Sequence, residues 1–189
     1  MSRVLPATYK LTPSQSGLTF VPLGIGNIIG NLIGGKVSDM SYQRFKAENN
    51  GRSPRPEVRF YGLWSASLIE AIGLLMTAWF VTFKFHLGAV LVGGFLIGLG
   101  NTMSVIACSS YLVDNFPEYA SSIAACFGAF QLIFSAILTS VNGILLEKLT
   151  YGGGISLYAC LCFCVTITVF IMFYKGEGLR QKFNRYDRI

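Results

Sequence analysis

Apolar and polar positions alternate along this chain in long blocks rather than with a short period. Five stretches, Ser16–Gly35, Phe60–Phe83, Leu87–Val113, Ala120–Leu146 and Ile155–Tyr174, are almost free of charge. Each holds about 20 or more residues, enough at a helical rise of about 1.5 Å to cross a hydrocarbon core of roughly 30 Å. An element of a soluble domain keeps its apolar side chains on one face, with charge opposite; these stretches are apolar all round. The pattern predicts an all-α integral membrane bundle of five transmembrane helices, spanning about 16–35, 60–83, 87–113, 120–146 and 155–174. It also predicts an extracytoplasmic segment 1–15, a cytoplasmic loop 36–59 and a basic tail 175–189.

Composition agrees with this reading. Hydrophobic residues make up 52% of the chain and charged ones 13%, and the 21 glycines are scattered through the apolar runs. Glycine there lets helix backbones approach closely. Met1–Lys10 lacks a basic segment followed by a short apolar core and does not resemble a cleavable signal, so insertion is expected to rely on the spans.

The basic residues orient the bundle. The joint after the first span carries Lys36, Arg44, Lys46, Arg52, Arg55 and Arg59, and the tail carries Lys175, Arg180, Lys182, Arg185 and Arg188. The opposite side has Arg3, Lys10, Lys84 and Lys148. The positive-inside rule therefore places the N-terminus outside and the C-terminus in the cytoplasm. Topology and anionic membrane lipids account for the net charge of +6. A nucleic-acid partner, which needs such charge on a folded soluble face, is not expected.

The polar joints suggest local structure. Pro13 and the neighbouring serines look like a loop leading into a helix start at Thr12 or Ser14, where a hydroxyl caps free amides. Gly26, Gly30 and Gly34 follow at intervals of four, a stripe suited to tight helix packing or to a helix that slides against its neighbour. Asn49-Asn50-Gly51, Pro54 and Pro56 argue for an exposed loop, with a short interfacial helix over Tyr42–Ala47. Lys84–His86 makes a hairpin, and Pro117 suits the first turn of the fourth helix.

Charge deep in a span needs a reason, since it costs roughly 2.5–3.5 kcal/mol on insertion scales. Glu70 is the one such ionisable residue, about 15 Å into the second span by helical rise. It is a candidate for proton coupling, or a neutral acid hydrogen-bonded to another helix. Asn27, Asn31, Asn101, Thr102, Gln131, Ser135 and Asn142 are uncharged polar groups within spans. They should face other helices or water, because lipid leaves them unpaired. The cysteines Cys108, Cys126, Cys160, Cys162 and Cys164 all lie in apolar spans, and the last three alternate around a helix, so neither a disulfide framework nor a metal site follows. They read as soft packing residues. With a lone His86 in a short turn and no lysine-bearing phosphate loop, neither an enzyme nor a cofactor is expected.

Three places carry a resemblance. They are Tyr9-Lys10-Leu11-Thr12-Pro13-Ser14-Gln15-Ser16-Gly17-Leu18; Gly35-Lys36-Val37-Ser38-Asp39 with the basic loop behind it; and Tyr111-Leu112-Val113-Asp114-Asn115-Phe116-Pro117 followed by Ala120-Ser121-Ser122. In these the chain resembles the C-terminal half of a major facilitator superfamily transporter, most like the fungal drug:proton antiporter-type members. The resemblance implies that the five spans correspond to helices eight to twelve of a twelve-helix fold, without the first half and the seventh helix. It implies secondary transport of a small organic solute, with or without proton coupling, in a plasma or vacuolar membrane. Asn27, Asn31, Asn101, Thr102, Gln131 and Asn142 would then border the solute pathway. Gly35, Asp39, Arg44 and Asp114 would belong to a loop motif that sets the conformational equilibrium, although Met40 stands where the family often has a basic residue. Asp39 and Asp114 have a simpler reading as solvated helix ends. The expected partners are a small-molecule substrate, membrane lipids, and either a missing N-terminal transporter half or a second copy in a homo-oligomer. The alternative function is a non-transporting membrane protein that assembles with itself or with a complementary half.

Overall fold

The computed structural model describes residues 4–48, 60–115, 117–148 and 153–168. The chain forms α1 (Val4–Tyr9), α2 (Pro13–Leu18), α3 (Val21–Glu48), α4 (Phe60–Thr82) and α5 (Leu87–Asn115). A 3-10 turn at Pro117–Tyr119 leads to α6 (Ala120–Lys148), and α7 covers Gly153–Thr168. Among the described residues there is no strand. Four segments are long and apolar enough to cross a membrane, namely Pro13–Ser41, Gly62–Thr82, Leu87–Asp114 and Ala120–Asn142, and α7 is a shorter apolar helix. The architecture is a partial all-α membrane bundle. The last part of the predicted fifth span, 169–174, the tail 175–189 and the loop 49–59 lie outside the described residues.

Small residues place α5 at the centre, between α3 and α4. A Cβ built on Gly26 would collide with the Phe95 carbonyl oxygen, one on Gly30 would stand 2.6 Å from the Leu99 carbonyl oxygen, and one on Gly34 3.0 Å from Met103 Cα. All three therefore press backbone against α5. On the other side of α5, a Cβ at Gly100 would meet Glu70 N at 2.6 Å and Ala66 O at 2.7 Å, and one at Gly73 of α4 would meet Gly93 O at 2.9 Å. Ala66, Ala71 and Ala78 of α4 are fully buried. Lipid is as apolar as leucine, so helices associate here through close packing rather than through a hydrophobic drive.

Two stretches differ from the expectation. The first span was expected to end at Gly35, yet α3 continues to Glu48 without a break, and the short interfacial helix over 42–47 is simply its far end. Hydropathy marks where lipid ends, not where the helix ends; no glycine or proline follows Gly35 until Gly51, so nothing in that interval interrupts the ladder. Asp39 and Arg44 consequently sit on a helix rather than in a loop. The segment 1–15 was expected as a loop but holds α1. Leu5, 1% exposed, packs with Val81 and Val90, flanked by Tyr9, Leu11, Phe80 and Leu87. The Tyr9 hydroxyl donates to the Phe85 carbonyl at 2.5 Å, and burial pushes its pKa up, keeping the donor neutral.

The α4–α5 hairpin that α1 covers is closed by specific caps. Lys84 takes the left-handed φ of 54° after α4, Phe85 N–H donates to Phe80 O at 2.9 Å and Lys84 N–H to Val81 O at 3.2 Å. That is a Schellman ending, with Phe80 and Phe85 in ring contact at 5.3 Å as its apolar clasp. His86 Nδ1 then accepts from Gly88 N–H at 3.2 Å, capping the first turn of α5. At α2, Thr12 and Gln15 form a reciprocal capping box. Leu5→Ala is expected to destabilise this outer end by about 2–4 kcal/mol and Tyr9→Phe by about 1 kcal/mol. Thermal unfolding in detergent checks both, and an unchanged midpoint for Leu5→Ala would show that α1 does not hold the hairpin.

Candidate functional site

Helical spacing gathers the polar residues of α6 on one face. Gln131, Ser135, Thr139 and Asn142 recur at three and four residues, so they stack along a single stripe. With Phe134 and Leu138 of the same helix and Tyr158 of α7 they line an open groove of about 390 Å³. Residues 129–141 of α6 are all exposed, including the large apolar side chains of Phe130, Leu132 and Ile133. Asn142 is half-buried and its Oδ1 has no hydrogen-bond partner, whereas the Thr139 hydroxyl donates back to Ser135 O at 2.7 Å. The groove thus offers two amides, three hydroxyls and an apolar wall.

A second polar group lies where α3 crosses α5. The Thr102 hydroxyl donates to Gly98 O at 2.6 Å and stands 3.5 Å from Asn27 Oδ1. One hydroxyl carries one proton, so the shorter contact holds it. Asn27 and Thr102 are half-buried, while Asn31 and Asn101 are exposed on the same two helices. The structure therefore brings Asn27 to Thr102, and separately Gln131 to Asn142.

Glu70 occupies a third place, the seam between α4 and α7. It is half-buried, its backbone presses on Gly100 of α5, and it lies three residues from Ser67, whose hydroxyl meets Thr166 of α7. One turn away the Thr166 hydroxyl donates to Cys162 O at 2.8 Å and its oxygen stands 2.9 Å from Ser67 Oγ, with both residues buried. Glu70 is absent from the groove lining. Sequence reading missed the Ser67–Thr166 tie and the contribution of Tyr158, since each joins helices remote in the chain and neither residue type stands out in a span.

Of the loop motif, Asp39 and Arg44 are exposed on α3, Asp114 is half-buried near the end of α5, and Gly35 is half-buried. A Cβ at Gly35 would meet nothing within 4 Å, so packing requires glycine at Gly34 and not at Gly35. Among the described residues no His, Cys, Asp or Glu cluster could hold a metal ion.

Comparison with known proteins adds what geometry does not. No family model matches the chain, and no solved structure matches it. The MFS-type transporter hepF of Aspergillus oryzae is 32% identical over 181 residues, covering 96% of this chain and 37% of the relative. The MFS-type transporter tndD of Aspergillus flavipes is 31% identical over 182 residues, covering 93% of this chain and 33% of its own length. The efflux pump radE of Floropilus chiversii is 28% identical over 178 residues, covering 94% and 33% respectively. The chain spans about a third of the length of these curated relatives. Over that third, with apolar spans, glycine-packed helices and nearly unbroken similarity to named transporters, the chain belongs to the major facilitator superfamily.

Proposed function

We propose that the chain works as part of a longer secondary carrier for small organic solutes, with the α6 groove on the solute route. The observation that carries this reading is the α6 stripe: a membrane helix that presents amides and hydroxyls to an open groove is poorly suited to face lipid there. The relatives' names as transporters and an efflux pump support the class. In this reading a complementary transporter half covers the exposed face of α6, and the solute passes between the two, as midplane sites between repeats do. The basic loop and tail face the cytoplasm and the N-terminus faces out, in a plasma or vacuolar membrane. Asp39, Arg44 and Asp114 take part in the inner closure, and Glu70 is the candidate proton carrier. A non-transporting protein that pairs with itself has no comparable support.

The test uses the complete gene product in sealed vesicles. Alanine at both Gln131 and Asn142, the two amides of the groove, is expected to lower uptake by roughly 10- to 100-fold, the loss of one to two hydrogen bonds to a desolvated solute. Unchanged uptake with the protein folded would place the route elsewhere.

A further inference from the structure

The turn between α4 and α5 is held by bonds that do not all survive acid. Lys84 takes a left-handed φ of 54°, a costly conformation for a residue with a side chain, so the turn keeps its shape only while its bonds hold it. On one flank Phe85 N–H donates to Phe80 O. On the other, His86 is the N-cap of α5: its carbonyl accepts from Ala89 N–H at 2.9 Å and its Nδ1 from Gly88 N–H at 3.2 Å. A Cβ at Gly88 would stand 3.2 Å from Nδ1 and 3.7 Å from Cε1, so glycine leaves the ring its seat. Phe85, between the two flanks, anchors α1, because its carbonyl accepts the Tyr9 hydroxyl while Leu5 packs against Val81 and Val90.

Nδ1 accepts only in the neutral ring. In the imidazolium both nitrogens carry protons, so two donors would face each other across the cap, and the positive end of α5 repels the charge as well. His86 is exposed, so protons from solution reach it. The contacts that hold the turn come from α1, α4 and α5. The titratable and charged groups beside it on those elements are Tyr9 and Lys10 at the end of α1 and Lys84 in the turn itself. Glu147 and Lys148 end α6, which makes none of these contacts. No Asp or Glu occurs in 1–38 or in 71–113, so none of the elements around the turn offers the charged ring a carboxylate.

We infer that His86 makes this turn an acid-sensitive latch: protonation of the ring releases the cap of α5, shifts the Phe85 carbonyl and frees α1 from the α4–α5 hairpin. The neutral ring holds the latch and acid opens it, over the range of about pH 5 to 8 in which histidine changes charge. On the proposed topology this end of the bundle faces out, so the latch responds to acidity outside the cytoplasm; its chemistry does not depend on that topology. Opening of α1 should rise roughly 3- to 30-fold, the range of a lost N-cap.

The experiment is hydrogen–deuterium exchange of the complete gene product in lipid nanodiscs, where both faces meet the same buffer, at about pH 7.5 and about pH 5. Each rate is divided by the chemical exchange rate at that pH. His86→Asn supplies a cap that does not titrate, and His86→Lys supplies a cation that cannot accept. At the higher pH the natural protein and the Asn variant are expected to match over residues 4–11; at the lower pH the natural protein is expected to exchange there roughly threefold faster or more. The Lys variant is expected to exchange fast at both, and His86→Ala, uncapped at either pH, replaces it if it does not fold. Equal responses to acid in the natural protein and the Asn variant overturn the latch. Faster exchange in acid confined to residues 86–90, with 4–11 unchanged, overturns it too, since the cap would then open without releasing α1.

Discussion

Gly30→Leu is expected to pull α3 away from α5 and to destabilise the bundle by about 3 kcal/mol or more, at the upper end for overpacked interiors. The first added carbon alone would lie 2.6 Å from the Leu99 carbonyl oxygen, 2.7 Å from Thr102 Oγ1 and 3.0 Å from Leu99 Cα. Two of these neighbours are backbone atoms, which cannot rotate away as a side chain can. The two helices must therefore separate or shift along each other, and Gly26 and Gly34, on the same stripe, lose their close contacts at the same time. In lipid no gain in buried apolar area compensates, because association depends on close packing. Gly24→Ala and Gly35→Ala are the controls: a Cβ at either position meets nothing within 4 Å, and each should stay within about 0.5 kcal/mol of the natural chain. Unfolding by titration with a denaturing detergent orders the variants. A Gly30→Leu protein as stable as the Gly35→Ala control would mean that α3 and α5 do not cross at this stripe.

The contrast between Gly30 and Gly35 also marks how far the sequence can be read. The block pattern of apolar residues identifies the membrane bundle because the lipid boundary acts on every residue of a span at once. Interval-of-four spacing picks out Gly26, Gly30 and Gly34, since a repeated small residue on one helical face has a geometric consequence, and an added Cβ at each would press on α5. Gly35 comes from family likeness instead, and its requirement is not one of packing in this structure. Helix ends are less legible. Thr12 with Gln15 is readable because a capping box is local, but the end of α3 is not, because polarity beyond Gly35 says nothing about hydrogen bonding. The His86 cap depends on where its ring nitrogen meets Gly88 N–H, and α1 depends on one leucine finding Val81 and Val90. In the groove, Gln131 and Asn142 are visible as amides in an apolar run, whereas Tyr158 joins them only through the packing of α7. Ser67 and Thr166 meet across 99 residues of sequence, a pairing that composition within either span does not announce.

Glu70→Gln should separate proton-driven accumulation from solute exchange if Glu70 carries the coupling proton. Glutamine keeps the volume and hydrogen-bonding reach of the protonated acid but cannot give up or take a proton. It should therefore preserve the contact with Gly100 and the volume of the side chain, which alanine would remove. A carboxyl at this depth costs roughly 2.5–3.5 kcal/mol in its charged form, so a coupled solute movement can tip its protonation with a modest change in surroundings. Loss of that linkage corresponds to a coupling factor of roughly 5- to 150-fold between proton and solute sites. Accumulation driven by a pH gradient should fall by that factor in the Gln variant, while exchange at equal pH on both sides persists. Glu70 lies apart from the α6 groove, and α7 offers one path for such coupling, since its Tyr158 lines the groove and its Thr166 meets Ser67 one turn from Glu70. Retention of full gradient-driven accumulation by the Gln variant would instead make Glu70 a neutral structural acid, joining Ser67 and Thr166 in holding α7 on α4.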